Sequence, residues 1–136
     1  MNTDIIIADD KNSWSQIIIK GHKIFYSGYL YNYKLEIFLK KFIQKIEKNY
    51  NNTDRIFKKL KLQGHFSIII KKHNFLYAVT DNISSIPIFY YENSQDLVFS
   101  NSSYYLFKKF NKKLSLIEKQ IKPFLYSGYT VGENTL

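Results

Sequence analysis

The spacing of apolar residues along this chain switches three times between a period of two and one of three to four, and this restricts the fold more than any other feature. The β-branched runs DIIIAD, WSQIIIKG and, after Gly21, KIFYSG read as two or three strands within the first 28 residues. From Leu35 the apolar positions Leu35, Ile37, Phe38, Phe42, Ile43 and Ile46 recur at helical spacing. Lys40, Lys41, Lys45 and Lys48 fall between them, which predicts an amphipathic helix of about 15 residues. NYNNTD interrupts it, and Asp54 is placed to N-cap a second short helix, RIFKKLKL. After Gly64 the period falls to two in GHFSIIIKK and FLYAVTD, joined by the hairpin turn KKHN. PIFYY and LVFS add strands on either side of the turn ENSQD, and helical spacing returns in SSYYLFKKF and in SLIEKQIKPFLYSG.

Strands, helices, strands, helices, with no linker or repeat, predict one α+β domain over residues 1–136 rather than a βαβ sheet. Pro87 reads as the first residue of its strand, because proline lacks a backbone donor and is tolerated there but not mid-strand. DNISSI then becomes a connection between two strands.

The chemistry open to the chain is narrow. It contains no cysteine, which excludes disulfides, thiolate zinc sites and a thiol nucleophile. His22, His65 and His73 are scattered without metal-ligand spacing and read as surface or strand histidines, so no metal is expected. Asp4, Asp9 and Asp10 read as solvated acids at strand ends. MNTDIIIADD lacks the charged and apolar regions of a secretory signal, and no apolar run approaches the roughly 18 residues that span a bilayer. A soluble, cytoplasmic protein without membrane contact is expected.

A net charge of +9 raises the alternative of a basic nucleic-acid-binding module. Against it, Arg55 is the single arginine, and arginine is the residue suited to bidentate phosphate and base contacts. The lysines fall on helical faces and read as solvated surface. The 12 tyrosines and 11 phenylalanines, at sheet and helix spacing, read as core rather than as a stacking platform.

LQGHFSIII, FLYAVTDNISSIPIFYY, LVFSNSSYYLF and PFLYSGYTVGENTL together resemble the second half of the glutaminase domain of the asparagine synthetase family. That family reads L-x-G-x-F-A-F, L-A-R-D-R-x-G-x-x-P-L-Y-Y, L-x-F-A-S-E and Y-x-x-x-G-Y-x-x-x-x-T. The matched positions are Leu62, Gly64, Phe66, Asp81, Pro87, Tyr90, Phe99, Gly128 and Tyr129, with Thr135 one residue beyond the place of the family's Thr. Upstream, YSGYLYNY is similar to the N-G-E-I-Y-N-Y segment at Gly28, Tyr31, Asn32 and Tyr33. The resemblance implies an N-terminal-nucleophile α/β/β/α sandwich of two antiparallel sheets flanked by helices, here shortened at its N-terminus. Asp81 and Pro87 would be scaffold residues of an inter-strand crossing.

The resemblance also implies a site that this sequence lacks. Active members of the class II glutamine amidotransferases carry an N-terminal Cys whose thiol attacks the glutamine amide while its α-amine serves as base. Here Asn2 follows Met1, and Thr3 could serve only if both were removed; Ser13 and Ser15 lie too deep. The family's Asn-Gly oxyanion pair falls on Ser27 and Gly28, and loss of one such donor typically slows reaction about a hundredfold or more. The family's substrate-gripping Arg has no counterpart, and the Asp of its D-T-E run falls on Lys34. The expectation is a catalytically degenerate domain with no catalytic residue and no cofactor. It would act as a structural or docking module, the N-terminal part of a longer, ATP-dependent amide-forming enzyme. Partners would be a C-terminal synthetase domain, a separate protein or a second copy, met at Phe124, Leu125, Tyr126 and Tyr129.

Overall fold

In the computed structural model, which describes residues 2–8 and 14–110, the alternating segments are strands and the helically spaced ones helices. Strands β1 (Asn2–Ile6), β2 (Ser15–Ile19) and β3 (His22–Leu30) precede helix α1 (Leu35–Ile46), a 3-10 turn at Tyr50–Asn52 and helix α2 (Thr53–Lys59). Strands β4 (Gly64–Lys72), β5 (Phe75–Thr80), β6 (Phe89–Glu92) and β7 (Asp96–Ser100) follow, then helix α3 (Ser103–Phe110). SLIEKQIKPFLYSG lies outside the described residues.

Several boundaries differ from expectation for local reasons. Helix α1 has 12 residues rather than about 15, because the chain is already extended at Asn49. Asp54 does not cap α2. The 3-10 turn winds directly into the helix, with the Thr53 hydroxyl donating to the Tyr50 carbonyl at 2.6 Å, so Asp54 falls in the first turn and pairs with Lys58 at 2.7 Å. Pro87 is not the first residue of β6, which starts two positions later at Phe89. Its missing donor falls in the crossing, where no ladder bond is required.

Strands β2-β3-β4-β5 form a four-stranded antiparallel sheet, and β1-β7-β6 a three-stranded one. The expectation of two antiparallel sheets fails at β1, which runs parallel to β7. Only a long connection can place two strands in parallel, and here nearly the whole described chain lies between them. Periodicity within a strand carries no record of its partner's direction.

Ile24, Tyr26, Phe66, Ile68 and Ile70 on one face of the four-stranded sheet pack against Leu35, Phe38, Leu39, Phe42, Ile43 and Ile46 of α1. Each large apolar side chain so buried contributes about 2 kcal/mol, offset mainly by the chain entropy lost on ordering. Ile37, counted with the apolar set, is 48% exposed and lies outside this face. The opposite face is covered too. Phe25, Ser27, Ser67 and Ile69 are buried there, and the Lys71 ammonium on that side donates to the Thr3 carbonyl of β1. Coverage of both faces explains why β4 carries the uninterrupted run Ile68, Ile69, Ile70, all fully buried.

Helix α3 packs on β6 and β7, its Phe110 ring 3.9 Å from that of Tyr91. Lys109 reaches Asp4 of β1 at 2.6 Å, so Asp4, half exposed to solvent, also ion-pairs β1 to α3. Burial alone would raise the Asp4 carboxyl, but the hydrogen bonds from Lys109 and the Ile5 N–H, together with the charges of Lys109 and Lys71, outweigh it and hold the group below its ordinary value. The result is a mixed α+β arrangement of two sheets, with α1 and α2 on the larger and α3 on the smaller. Among the described residues, no helix is long and apolar enough to cross a membrane.

Candidate functional site

The crossing from β5 to β6 is organised by one carboxylate. Asp81 is buried, and its Oδ2 accepts the Phe66 backbone N–H at 3.1 Å while its Oδ1 accepts those of Ile83 at 3.0 Å and Ser85 at 3.3 Å. The Ser85 hydroxyl also donates to Oδ2. Burial opposes ionisation, yet these donors prevail and pull the carboxyl down to about 2. The loop is thus tied to β4 at one end. At its other end the Ser67 hydroxyl donates to the Ile86 carbonyl, which sets Ile86 beside Gly28 of β3.

Gly28 is required there for steric reasons. Its φ is +92°, and a Cβ would fall inside the His65 carbonyl group and 2.9 Å from Ile86 Cδ1. Gly64 opposite has φ +155°, and a Cβ on it would strike the backbone of Tyr29 and Leu30. The two glycines let β3 and β4 approach closely where the register pairs Gly28 with Phe66 and Leu30 with Gly64.

Ser27, Gly28 and Lys34, which the sequence resemblance would assign to a glutamine pocket, are only partly brought together. Gly28 and Lys34 line an open cleft of about 520 Å³ with Tyr26, Tyr29, Tyr33 and Glu36. Ser27 is buried on the opposite face of β3, across from Ser67, and does not line the cleft. Within the cleft the Tyr26 hydroxyl donates to Glu36 Oε1 at 2.8 Å. Burial and then Glu36 push the Tyr26 phenol up, so it stays protonated and a donor. The lining thus offers a carboxylate, an ammonium and phenols, with no thiol or aliphatic hydroxyl among these side chains.

No protein-family model matches this chain, and no curated protein or solved structure matches it either.

Lys34 has a second consequence. It occupies the N-cap of α1 in an extended conformation (φ −70°, ψ 125°) without a side-chain capping bond. A cation there meets the positive end of the helix dipole. Lys34→Asp is therefore expected to raise stability by about 1 kcal/mol, read as a higher urea midpoint. An unchanged or lower midpoint refutes the capping account.

The remaining candidates separate. His22, read from sequence as a surface or strand residue, is fully buried. Because the Ile19 carbonyl only accepts, Nδ1–H donates to it at 3.1 Å, and Nε2 accepts the Tyr50 hydroxyl at 2.9 Å. Burial holds the imidazole below its ordinary value, consistent with a neutral structural ring joining the β2–β3 turn to the 3-10 turn. His65 contacts Tyr29 and Tyr31 and hydrogen-bonds the Tyr31 hydroxyl at 3.1 Å; His73 is exposed in the hairpin turn. Tyr29, Tyr31, Tyr33, Tyr90, Tyr104 and Tyr105 are exposed, which corrects their reading as core. Strand and helix periodicity gave no warning, since it cannot tell which faces the rest of the fold leaves uncovered. Thr3 sits on β1 opposite Leu97. Asp9, Asp10, Ser13, Phe124, Leu125, Tyr126, Gly128, Tyr129 and Thr135 lie outside the described residues.

Proposed function

We propose that this chain is a catalytically degenerate, glutamine amidotransferase-like domain of the N-terminal-nucleophile type. It acts as a structural or docking module of an asparagine-synthetase-like, ATP-dependent amide-forming enzyme and does not hydrolyse glutamine. One observation carries the reading. Three separate stretches that bear the family likeness converge in space: the Asp81 carboxylate holds Phe66, and Ile86, next to Pro87, lies against Gly28. Segments bearing the likeness thus pack together around Phe66 and Gly28, while the positions matched to the pocket include a buried serine and a lysine. Active members of the family this chain resembles use a cysteine thiol for glutamine hydrolysis, and the sequence contains no cysteine.

The purified chain is expected to release no glutamate from glutamine above the uncatalysed background, and Asn2→Cys alone is expected not to change that. A coupled glutamate assay, with intact-mass analysis of the N-terminus, checks both. Turnover by a chain matured to begin at Thr3, or rescue by the single cysteine, overturns the proposal. The second reading, a nucleic-acid module, gains from the exposed Tyr29, Tyr31 and Tyr33.

A further inference from the structure

Between α1 and the segment that leads from α2 into β4 lies a slot of about 250 Å³. Phe38 and Phe42, stacked with ring centroids 5.5 Å apart, form its floor with Leu60 and Leu62; Tyr33 stands at one end. Lys41 and Lys45, one helical turn apart on α1, complete the lining. Among the described residues neither ammonium has a carboxylate within 4.0 Å. The nearby acids are committed elsewhere. Glu36 accepts from Tyr26, Glu47 pairs with Lys20 and Lys72, and Asp54 pairs with Lys58.

The geometry points to a binding site for a small anionic amphiphile, a carboxylate carried on an aryl or short acyl body. The apolar floor takes the body out of water, as the lining of a ligand pocket commonly does. Two adjacent ammoniums that repel each other are relieved by one anion at the mouth, and the Tyr33 hydroxyl adds a hydrogen-bond donor. The volume lies below the about 300–1,000 Å³ usual for drug-sized ligands, which favours a small molecule over a helix or a second copy of the chain. This site is separate from the cleft at Gly28 and Lys34 and does not depend on the amidotransferase reading, although Tyr33 borders both.

The probe is 3-phenylpropionate, titrated into the full ¹⁵N-labelled chain, with 3-phenylpropan-1-ol as the uncharged counterpart. Saturating amide shifts confined to Tyr33, residues 38–45 and residues 60–62 are expected, with Kd on the order of 1 mM for a ligand of this size. The alcohol should bind at least tenfold more weakly, and so should the propionate to a K41E/K45E variant. Both lysines are exposed, so that variant keeps its fold, checked by circular dichroism. A K40E/K48E control changes the net charge equally without touching the slot and should stay within threefold of wild type. Equal binding of acid and alcohol, equal loss in the control pair, or no saturation by 10-fold the expected Kd each overturn the inference. So does tighter binding of oligothymidylate at the same amides with no response to the propionate.

Discussion

Replacing Gly28 with alanine is expected to destabilise the chain by at least about 4 kcal/mol, a large part of the 5–15 kcal/mol typical of a whole domain. Two effects add. A residue with a Cβ is strained at φ +92°, and the new methyl would collide with the backbone of His65, which cannot rotate away as a side chain would. To relieve the clash, β3 must move from β4 in the middle of the four-stranded sheet. Gly21→Ala is the matched control. It too has positive φ, +76°, but its Cβ would meet nothing closer than Lys72 Cε at 3.7 Å, so it should lose only about 1 kcal/mol. Urea unfolding followed by circular dichroism compares the two. Similar losses at both positions would remove close strand approach as the reason for Gly28. The same test bears on the proposed function, because the proposal assigns Gly28 to a former oxyanion position, whereas steric need alone accounts for a glycine here.

Asp81→Asn is expected to lower stability by about 3 kcal/mol and to flatten its dependence on pH in acid. Asparagine keeps the shape but presents an NH₂ group to donors that now converge on a carboxylate: the N–H groups of Phe66, Ile83 and Ser85 and the Ser85 hydroxyl. The sign of the pH effect follows from the depressed folded value. An unfolded aspartate titrates near its ordinary value of 3.8, whereas the folded one titrates at about 2. Between those values the unfolded chain binds more protons. The stability Asp81 contributes is therefore fully present above 3.8 and is lost as pH falls through about 2. Urea midpoints measured from pH 5 to pH 2 should fall steeply for wild type and less so for the variant. Parallel curves would mean that Asp81 is not the ionised anchor of the crossing.

Much of this architecture is written locally. The run from Leu35 to Ile46 declares a helix because six buried side chains recur at its spacing, and the short β-branched and aromatic runs of β4 and β5, joined by a turn, declare strands. What escaped was set by distant partners. His22 sits among Lys20, Gly21 and Lys23, a polar stretch that reads as surface, and it is enclosed by Tyr50, 28 positions on. The exposed tyrosines, on β3 and the loop after it, on β6 and on α3, escaped for the converse reason, since nothing near them in sequence reveals that distant segments leave them uncovered. The slot at Lys41 and Lys45 was visible only as a solvated helical face; Leu60 and Leu62, distant in sequence, complete its floor.

The amino-acid order alone settled the α+β class, the hairpin of β4 and β5, and the absence of any thiol chemistry, because periodicity and residue identity act within a few neighbours. Tertiary packing alone decided that β1 runs parallel to β7, that Ser27 turns away from the cleft Lys34 enters, and that one carboxylate at Asp81 gathers donors from two segments. Each of these depends on which surfaces meet across long stretches of chain. That is resolved by the joint burial of apolar faces and the pairing of buried polar groups, and neither is encoded in any one window of sequence.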